Sequence, residues 1–146
     1  MLRRLNLADM DEAATVHRRS FDHALPTLAA LHTPEEDRWF FRERMFTACQ
    51  LWGYFDDNEL VGIIAFREGW IDQLYVLPSS QGRGVGTALL RVAQGLHGKL
   101  SLWTFHQNAA ARRFYERHGF VLMKQTDGFR NEEKDPDAMY SWKRNT

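Results

Sequence analysis

Cysteine is almost missing from this chain. Cys49 stands alone among 146 residues, so no internal disulfide can form, which fits a reducing compartment. Net charge is missing too, since 19 basic residues balance 19 acidic ones. Without a global basic field there is no electrostatic reason to meet nucleic acid or an anionic membrane. Long apolar runs are also lacking. The longest lies near Leu60 to Phe66, far short of the roughly 20 residues a membrane helix needs. The start, Met1-Leu2-Arg3-Arg4-Leu5-Asn6, runs into Asp9, Asp11 and Glu12, where a signal peptide needs a longer apolar core. His17, His23, His32 and His106 show no metal-ligand spacing. Repeats, low-complexity tracts and linker-like segments are absent. The expectation is a soluble, cytoplasmic protein with no metal.

What is present is an ordinary globular composition, 44% hydrophobic and 26% charged. The length suits one domain, 1–146, with a real core. Arginine far outnumbers lysine among the basic residues, which favours planar anion contacts over diffuse charge.

Met1 to Leu7 reads as a strand. Asp9 or Asp11 is placed to cap a helix running to about Phe21. Residues 22–33, with Pro26 inside, look irregular. Thr33-Pro34-Glu35-Glu36 is a capping box with proline at the first helical position, which predicts a helix from Pro34 to about Ala48. Leu51 to Phe55 and Leu60 to Phe66 are strand-like, and Asp56-Asp57-Asn58-Glu59 between them is hairpin chemistry. Trp70 to Leu77 is a third strand, stopped by Pro78. A helix follows from about Gly84 to His97, with Val85, Leu89, Val92 and Leu96 on one face. Leu100 to Phe105 is a strand. Asn108 caps a helix ending near His118, with Gly119 as its stop. Phe120 to Gln125 and Ala138 to Arg144 close the chain as strands around a polar loop, 127–137. The order β-α-α-β-β-β-α-β-α-β-β predicts an α/β chain with a mixed sheet and helices on both faces.

The most informative stretch is Gln81-Gly82-Arg83-Gly84-Val85-Gly86-Thr87, between a strand and a helix. Glycine lets a ligand approach the backbone. The first N–H groups of a helix lack partners and sit at its positive end. Such a loop suits an anion, most often phosphate; a plain tight turn is the bland alternative. A Walker A loop requires Gly-Lys-Ser/Thr, which is missing. A dinucleotide loop requires glycine or alanine where this chain has Thr87 or Leu89. No His-Arg-Asp or Asp-Phe-Gly follows, so a kinase loop fails as well.

What fits is Gln81-x-x-Gly84-x-Gly86 after a strand ending Val76-Leu77-Pro78. Here the chain resembles the GNAT superfamily of N-acetyltransferases. A second motif agrees: Asn108-Ala109-Ala110-Ala111-Arg112-Arg113-Phe114-Tyr115-Glu116-Arg117-His118-Gly119-Phe120 is similar to the family's Asn-x-x-Ala-x-x-x-Tyr-x-x-x-Gly-Phe helix. The pair covers residues 70–120, and the element order extends the likeness over nearly the whole chain. The resemblance implies a central mixed, mostly antiparallel sheet with splayed middle strands. It also implies acetyl-CoA as co-substrate and transfer of its acetyl group to a primary amine, by direct attack in a ternary complex.

In that reading the pantetheine arm of CoA lies along Leu74, Tyr75 and Val76 like an added strand. The Val76 N–H then faces the oxyanion. Backbone groups of Gly82, Arg83, Gly84, Val85, Gly86 and Thr87 cradle the pyrophosphate, after Gln81. Arg83 either adds charge or is a solvated loop residue. Asn108 both caps its helix and contacts the CoA arm. Tyr115 is the candidate general acid for the leaving thiolate; core packing is its plainer role. An amine with a pKa of about 10.4 must lose a proton before it attacks. Strand alternation sets Trp70, Asp72, Leu74 and Val76 on one face, so Asp72 is the preferred base, through water, against the reading of a simple strand aspartate. Some family members carry a glutamate where this chain has Trp103, and that option is lost here. A non-catalytic acyl-CoA-binding module stays open as an alternative function.

The acceptor site falls between residues 21–41, the splayed strands and the loop 127–137. Phe21, Trp39, Phe40, Phe41, Trp70 and Trp103 lie there, with Asp22, Glu35, Glu36, Asp37, Glu132, Glu133 and Asp135. Acids beside aromatics suit a cationic amine, either a small molecule, an amino-acid-like molecule or a peptide lysine. The plainer reading makes these core aromatics and solvated acids. A homodimer is allowed.

Overall fold

The computed structural model describes residues 1–29 and 31–145. The first half runs β1 (Leu2–Arg4), α1 (Met10–Ala24), α2 (Pro34–Phe40), α3 (Phe46–Ala48), β2 (Gln50–Asp56) and β3 (Glu59–Arg67). The second runs β4 (Trp70–Val76), α4 (Val85–Leu96), β5 (Lys99–Phe105), α5 (Ala109–Arg117), β6 (Val121–Thr126) and β7 (Asp137–Lys143).

The helix expected from Pro34 is a continuous run that widens into a π-helical turn at Phe41–Met45. Its capping box forms: Thr33 Oγ1 accepts from the Glu36 N–H at 3.1 Å, and Glu36 accepts from the Thr33 N–H at 2.8 Å. The first strand is shorter than expected. Asn6 opens a 3-10 turn at Leu7–Asp9, and Asp9 answers the Asn6 N–H at 2.8 Å instead of capping α1. In the stretch expected to be irregular, α1 extends to Ala24 and a 3-10 turn forms at Pro26–Leu28; Ala30 lies outside the described residues.

The sheet has seven strands in the order β1-β2-β3-β4-β5-β7-β6. Every neighbouring pair is antiparallel except β4 with β5. The β2–β3 hairpin turns on Asp57 and Asn58 at φ 49° and 66°, a left-handed conformation that short polar side chains tolerate.

β4 and β5 share one paired position, Trp70 with Ser101, where the Ser101 N–H donates to the Gly69 carbonyl at 2.8 Å. Beyond it the strands part. The Leu77 N–H donates to the Val61 carbonyl at 2.8 Å. By antiparallel alternation the main-chain groups of Tyr75 then turn to β3, and those of Leu74 and Val76 turn into the gap.

Gly62 pairs with Val76, and a Cβ on Gly62 would lie 2.8 and 3.0 Å from Val85 and Leu89 of α4. Tyr75 points the other way, toward His17 and Phe21 of α1. So α1 and α4 cover opposite faces of the sheet. Phe41, Ile63, Ile64, Phe66, Leu89, Leu100 and Tyr140 are fully buried between these layers. On α4, Leu90 and Ala93 join the core, while Leu96, the last helical residue, is exposed.

Candidate active site

Where β4 and β5 part, a cleft of about 570 Å³ opens. Of the residues expected to hold a donor, Leu74, Tyr75, Val76, Gln81, Gly82, Gly84, Val85, Gly86, Thr87, Asn108 and Tyr115 all line it. Arg83 does not. Its exposed side chain turns to the far side of the loop, 3.8 Å from Asp56.

Gly82 and Gly84 have φ of 79° and 82°, a left-handed backbone that strains any residue with a Cβ. An added Cβ would meet no atom within 4 Å at either place, so conformation rather than crowding asks for glycine. Gly86 differs: a Cβ there would sit 3.3 Å from the Phe114 ring, so close packing of α5 asks for it. The Ala88 N–H donates to the Gly84 carbonyl at 3.0 Å and starts the helical ladder. The earlier N–H groups, Val85 to Thr87, have no intrahelical partner and mark the positive helix end. A diphosphate fits this cradle. Gln81 Nε2 donates to the Val76 carbonyl at 3.0 Å and ties the loop to β4.

Asn108 Oδ1 accepts from the Ala111 N–H at 3.2 Å, so it caps α5 while lining the cleft. Tyr115 is 7% exposed. It borders both the main cleft and a smaller cavity of about 110 Å³ between the strands, which Asp72 also borders. Burial, and then the nearby Tyr75, push the Tyr115 phenol above its ordinary pKa, so it is protonated at neutral pH. Tyr140 anchors α5 from the sheet: its hydroxyl donates to Glu116 at 2.7 Å and accepts from Arg112 Nε at 3.2 Å. His118 escaped sequence reasoning, which saw only a helix end. Its ring nitrogens lie 3.0 Å from Thr87 Oγ1 and 2.7 Å from the Phe114 carbonyl oxygen.

Asp72 is placed otherwise than strand alternation predicts. The β3–β4 register passes from Ala65–Gln73 to Phe66–Ile71, leaving Asp72 in a bulge. Ile71 therefore shares the face of Leu74 and Val76, and Trp70 falls on the opposite one. The Asp72 carboxylate accepts from Arg67 Nε at 2.7 Å, Arg67 Nη2 at 3.1 Å and Cys49 Sγ at 3.1 Å. Burial and Asp72 push the Cys49 thiol up to about 12, so it stays protonated.

In the region expected to take an acceptor, most of the acids already have partners. Asp37 accepts from Arg18 Nε at 2.8 Å and Nη2 at 2.9 Å, and Asp22 accepts from Arg18 Nη1 at 3.2 Å. Glu132 lies 2.9 Å from His32 Nε2 and Glu36 3.9 Å from His32 Nδ1. Glu35 pairs with Arg38 at 3.4 Å, and Asp135 accepts from Gln107 at 2.8 Å. Glu133 has no ion pair among the described residues, and its charge raises the pKa of the buried Tyr75 phenol after burial itself.

The aromatics are engaged too. Phe41 is fully buried. Arg44 lies 5.4 Å over Trp39, Arg67 5.7 Å over Trp70 and Lys124 5.3 Å over Trp103. Rings expected to receive a cationic acceptor thus already carry cations of the chain. Ser20, His23 and Ala24 of α1 border the cleft. The His17 ring lies 4.7 Å from that of Tyr75, and its Nδ1 and the Ser20 Oγ are buried without a hydrogen bond among the described residues. Burial pushes His17 down to about 4, so its imidazole is neutral near pH 7.

Among the described residues, no three His, Cys, Asp or Glu side chains gather as a metal site, and no helix is long and apolar enough to cross a membrane. The sequence matches the profile of the Acetyltransferase (GNAT) family over residues 15–120. It is 28% identical over 102 residues to the peptidyl-lysine N-acetyltransferase YiaC of Escherichia coli (strain K12), a stretch covering 69% of this chain and 68% of that protein. Its fold is similar to that of apo YjaB from Escherichia coli, with a TM-score of 0.81 at 22% identity over 99% of this chain and 98% of the other. It is also similar to yncA from Salmonella typhimurium, solved with its cofactor acetyl-CoA, with a TM-score of 0.73 at 15% identity over 100% and 94%. The profile match takes in the glycine loop, the parted strands and the Tyr115 helix together, and the chain belongs to the Acetyltransferase (GNAT) family of acyltransferases.

Proposed function

We propose that this chain, acting as one domain, transfers an acetyl group from acetyl-CoA to a primary amine, which attacks the thioester directly while both are bound. The observation that carries this reading is the cleft itself. The main-chain groups of Leu74 and the Val76 N–H, unpaired with β5, lead along it to the cradle at the start of α4. A pantetheine arm fits this edge as a strand would, and the Val76 N–H suits an acetyl oxygen gaining negative charge. The pyrophosphate belongs at residues 82–87, with Asn108 beside the arm. Acetyl-CoA bound to yncA, a protein of like fold, supports this choice of donor.

Tyr115 acts as the general acid. Its phenol is held protonated and borders both parts of the cleft, where a departing thiolate needs a proton. Asp72 receives the amine proton through water. The Arg67 ion pair favours a second reading in which that proton leaves directly to solvent, because protonating Asp72 breaks a bidentate contact. An Asp72→Asn variant separates them: a lost acid limb in the pH–rate profile supports the base, and an unaltered profile supports solvent.

The acceptor is a small amine, an amino-acid-like molecule or a lysine side chain. The peptidyl-lysine activity in the name of YiaC supports the last. The reaction belongs in the cytoplasm, which the single free Cys49 suits. The deciding experiment is a broad acceptor screen with acetyl-CoA, read by release of CoA thiol. Acceptor-dependent release is expected, with kcat falling about a hundredfold in Tyr115→Phe at unchanged CoA affinity. Binding of acetyl-CoA with no release for any acceptor would leave a binding module instead.

A further inference from the structure

We propose that His118 sets the direction of the Thr87 hydroxyl, and that pyrophosphate binding in the cleft is coupled to protonation of His118. This rests on the donor reading above.

His118 Nδ1 lies 2.7 Å from the Phe114 carbonyl oxygen. A carbonyl only accepts, so Nδ1 carries a hydrogen. Nε2 lies 3.0 Å from Thr87 Oγ1. In the neutral ring Nε2 holds a lone pair, and the Thr87 hydroxyl donates to it. The one hydroxyl hydrogen then points at α5. Thr87 turns only lone pairs toward the cleft it lines, and a phosphate oxygen also brings only lone pairs. In the imidazolium, Nε2 donates instead. The Thr87 oxygen accepts, and its hydrogen is released toward the ligand. The protonated state is therefore the one complementary to a diphosphate.

The ring is held for this task. Its centroid is 4.4 Å from that of Phe114, and Phe114 rests where a Cβ on Gly86 would lie 3.3 Å away. Loop, α4 and α5 are thus packed together around the Thr87–His118 contact. The charges nearby leave the imidazolium without an anion. Arg113 and Arg117 share its helix, and Arg91 lies one turn beyond Thr87 on α4. Glu116 is engaged by Tyr140 and Asp56 faces Arg83. Among the described residues His32 is the histidine that pairs with carboxylates, and His118 pairs with none. A bound pyrophosphate supplies the missing negative charge.

The sign follows. Binding favours the imidazolium, so the complex takes up a proton. Affinity is greatest at pH values where the free ring is already protonated. It falls as pH rises, by up to about tenfold per pH unit while the free ring is neutral and the bound ring protonated. The probe is dephospho-CoA, whose pyrophosphate has no ionisation near neutral pH, so any proton taken up belongs to the protein. Calorimetric titration in two buffers of different protonation heat measures that uptake. Wild type should gain a fraction of a proton near pH 7, with Kd rising about tenfold from pH 6 to pH 8. His118→Gln should bind with no uptake and a flat Kd, and Thr87→Val should lose most of the coupling. Ring nitrogen shifts of His118 in wild type, free and bound, give a second readout that needs no variant. Binding without proton uptake, or wild-type uptake in His118→Gln, overturns this inference alone. No binding of dephospho-CoA at all overturns the donor reading and this inference with it.

Discussion

On the α4 side of the β4–β5 opening, the atoms that face the cleft are largely main chain: the glycine loop, Leu74 and Val76. On the α1 side Ser20, His23 and Ala24 border it, and the acids around them are tied up by side chains, Arg18 meeting Asp22 and Asp37, and His32 meeting Glu36 and Glu132. Main-chain geometry leaves local marks in a sequence, because a left-handed residue or a close helix contact restricts what can stand there. Side-chain pairs leave none, because either partner alone is an ordinary charged residue. The geometry of the glycine loop was therefore legible in the sequence, and the ion pairs of the α1 side were not.

The strongest way to sharpen this contrast is Arg18→Gln. It strands the Asp37 carboxylate, 8% exposed, at a cost of about 3 kcal/mol. Urea unfolding should show that loss while the Kd for CoA changes less than about twofold. A large drop in CoA affinity would mean that the two sides are one unit.

Next in size is an acid effect on the α1 side. His17 has a folded pKa of about 4 against an ordinary 6.5. Its neutral form is favoured in the fold, so it costs nothing above pH 6.5. Stability is lost as pH falls from there toward 4, by about 2 kcal/mol at pH 5. His17→Leu should remove that part of the pH dependence in denaturant titrations; an identical slope in both proteins would show that the imidazole is not buried neutral.

A smaller effect belongs to the loop. Gly84→Ala meets no clash but must hold φ near 82°, a strain of about 1 kcal/mol. CoA binding should weaken roughly fivefold, with the acceptor side untouched. The least is expected of Arg83→Ala, since an exposed arginine 3.8 Å from Asp56 contributes little. A tenfold loss of CoA affinity there would return Arg83 to the donor side.

Particular residues show where sequence reading ends. Thr33 and Glu36, Asn108, and the Asp57-Asn58 turn act on neighbours within a few positions, and each formed as read. The bulge at Asp72 did not announce itself, because it arises from the register between two strands rather than from either strand's composition. The same holds for His118, whose partner lies 31 residues away. The acids of the 21–41 region looked free for a ligand because a cation such as Arg18 is recognised as their partner only in three dimensions.

The lone bridge between Trp70 and Ser101 has a further effect. The amides of Leu74 and Val76 lie at the centre of a seven-stranded sheet, where hydrogen exchange is ordinarily slowest. They belong to no ladder on that side. In the free protein they should exchange like the amides of a peripheral strand, far faster than Tyr75 between them, so the middle of this sheet keeps the time of its rim.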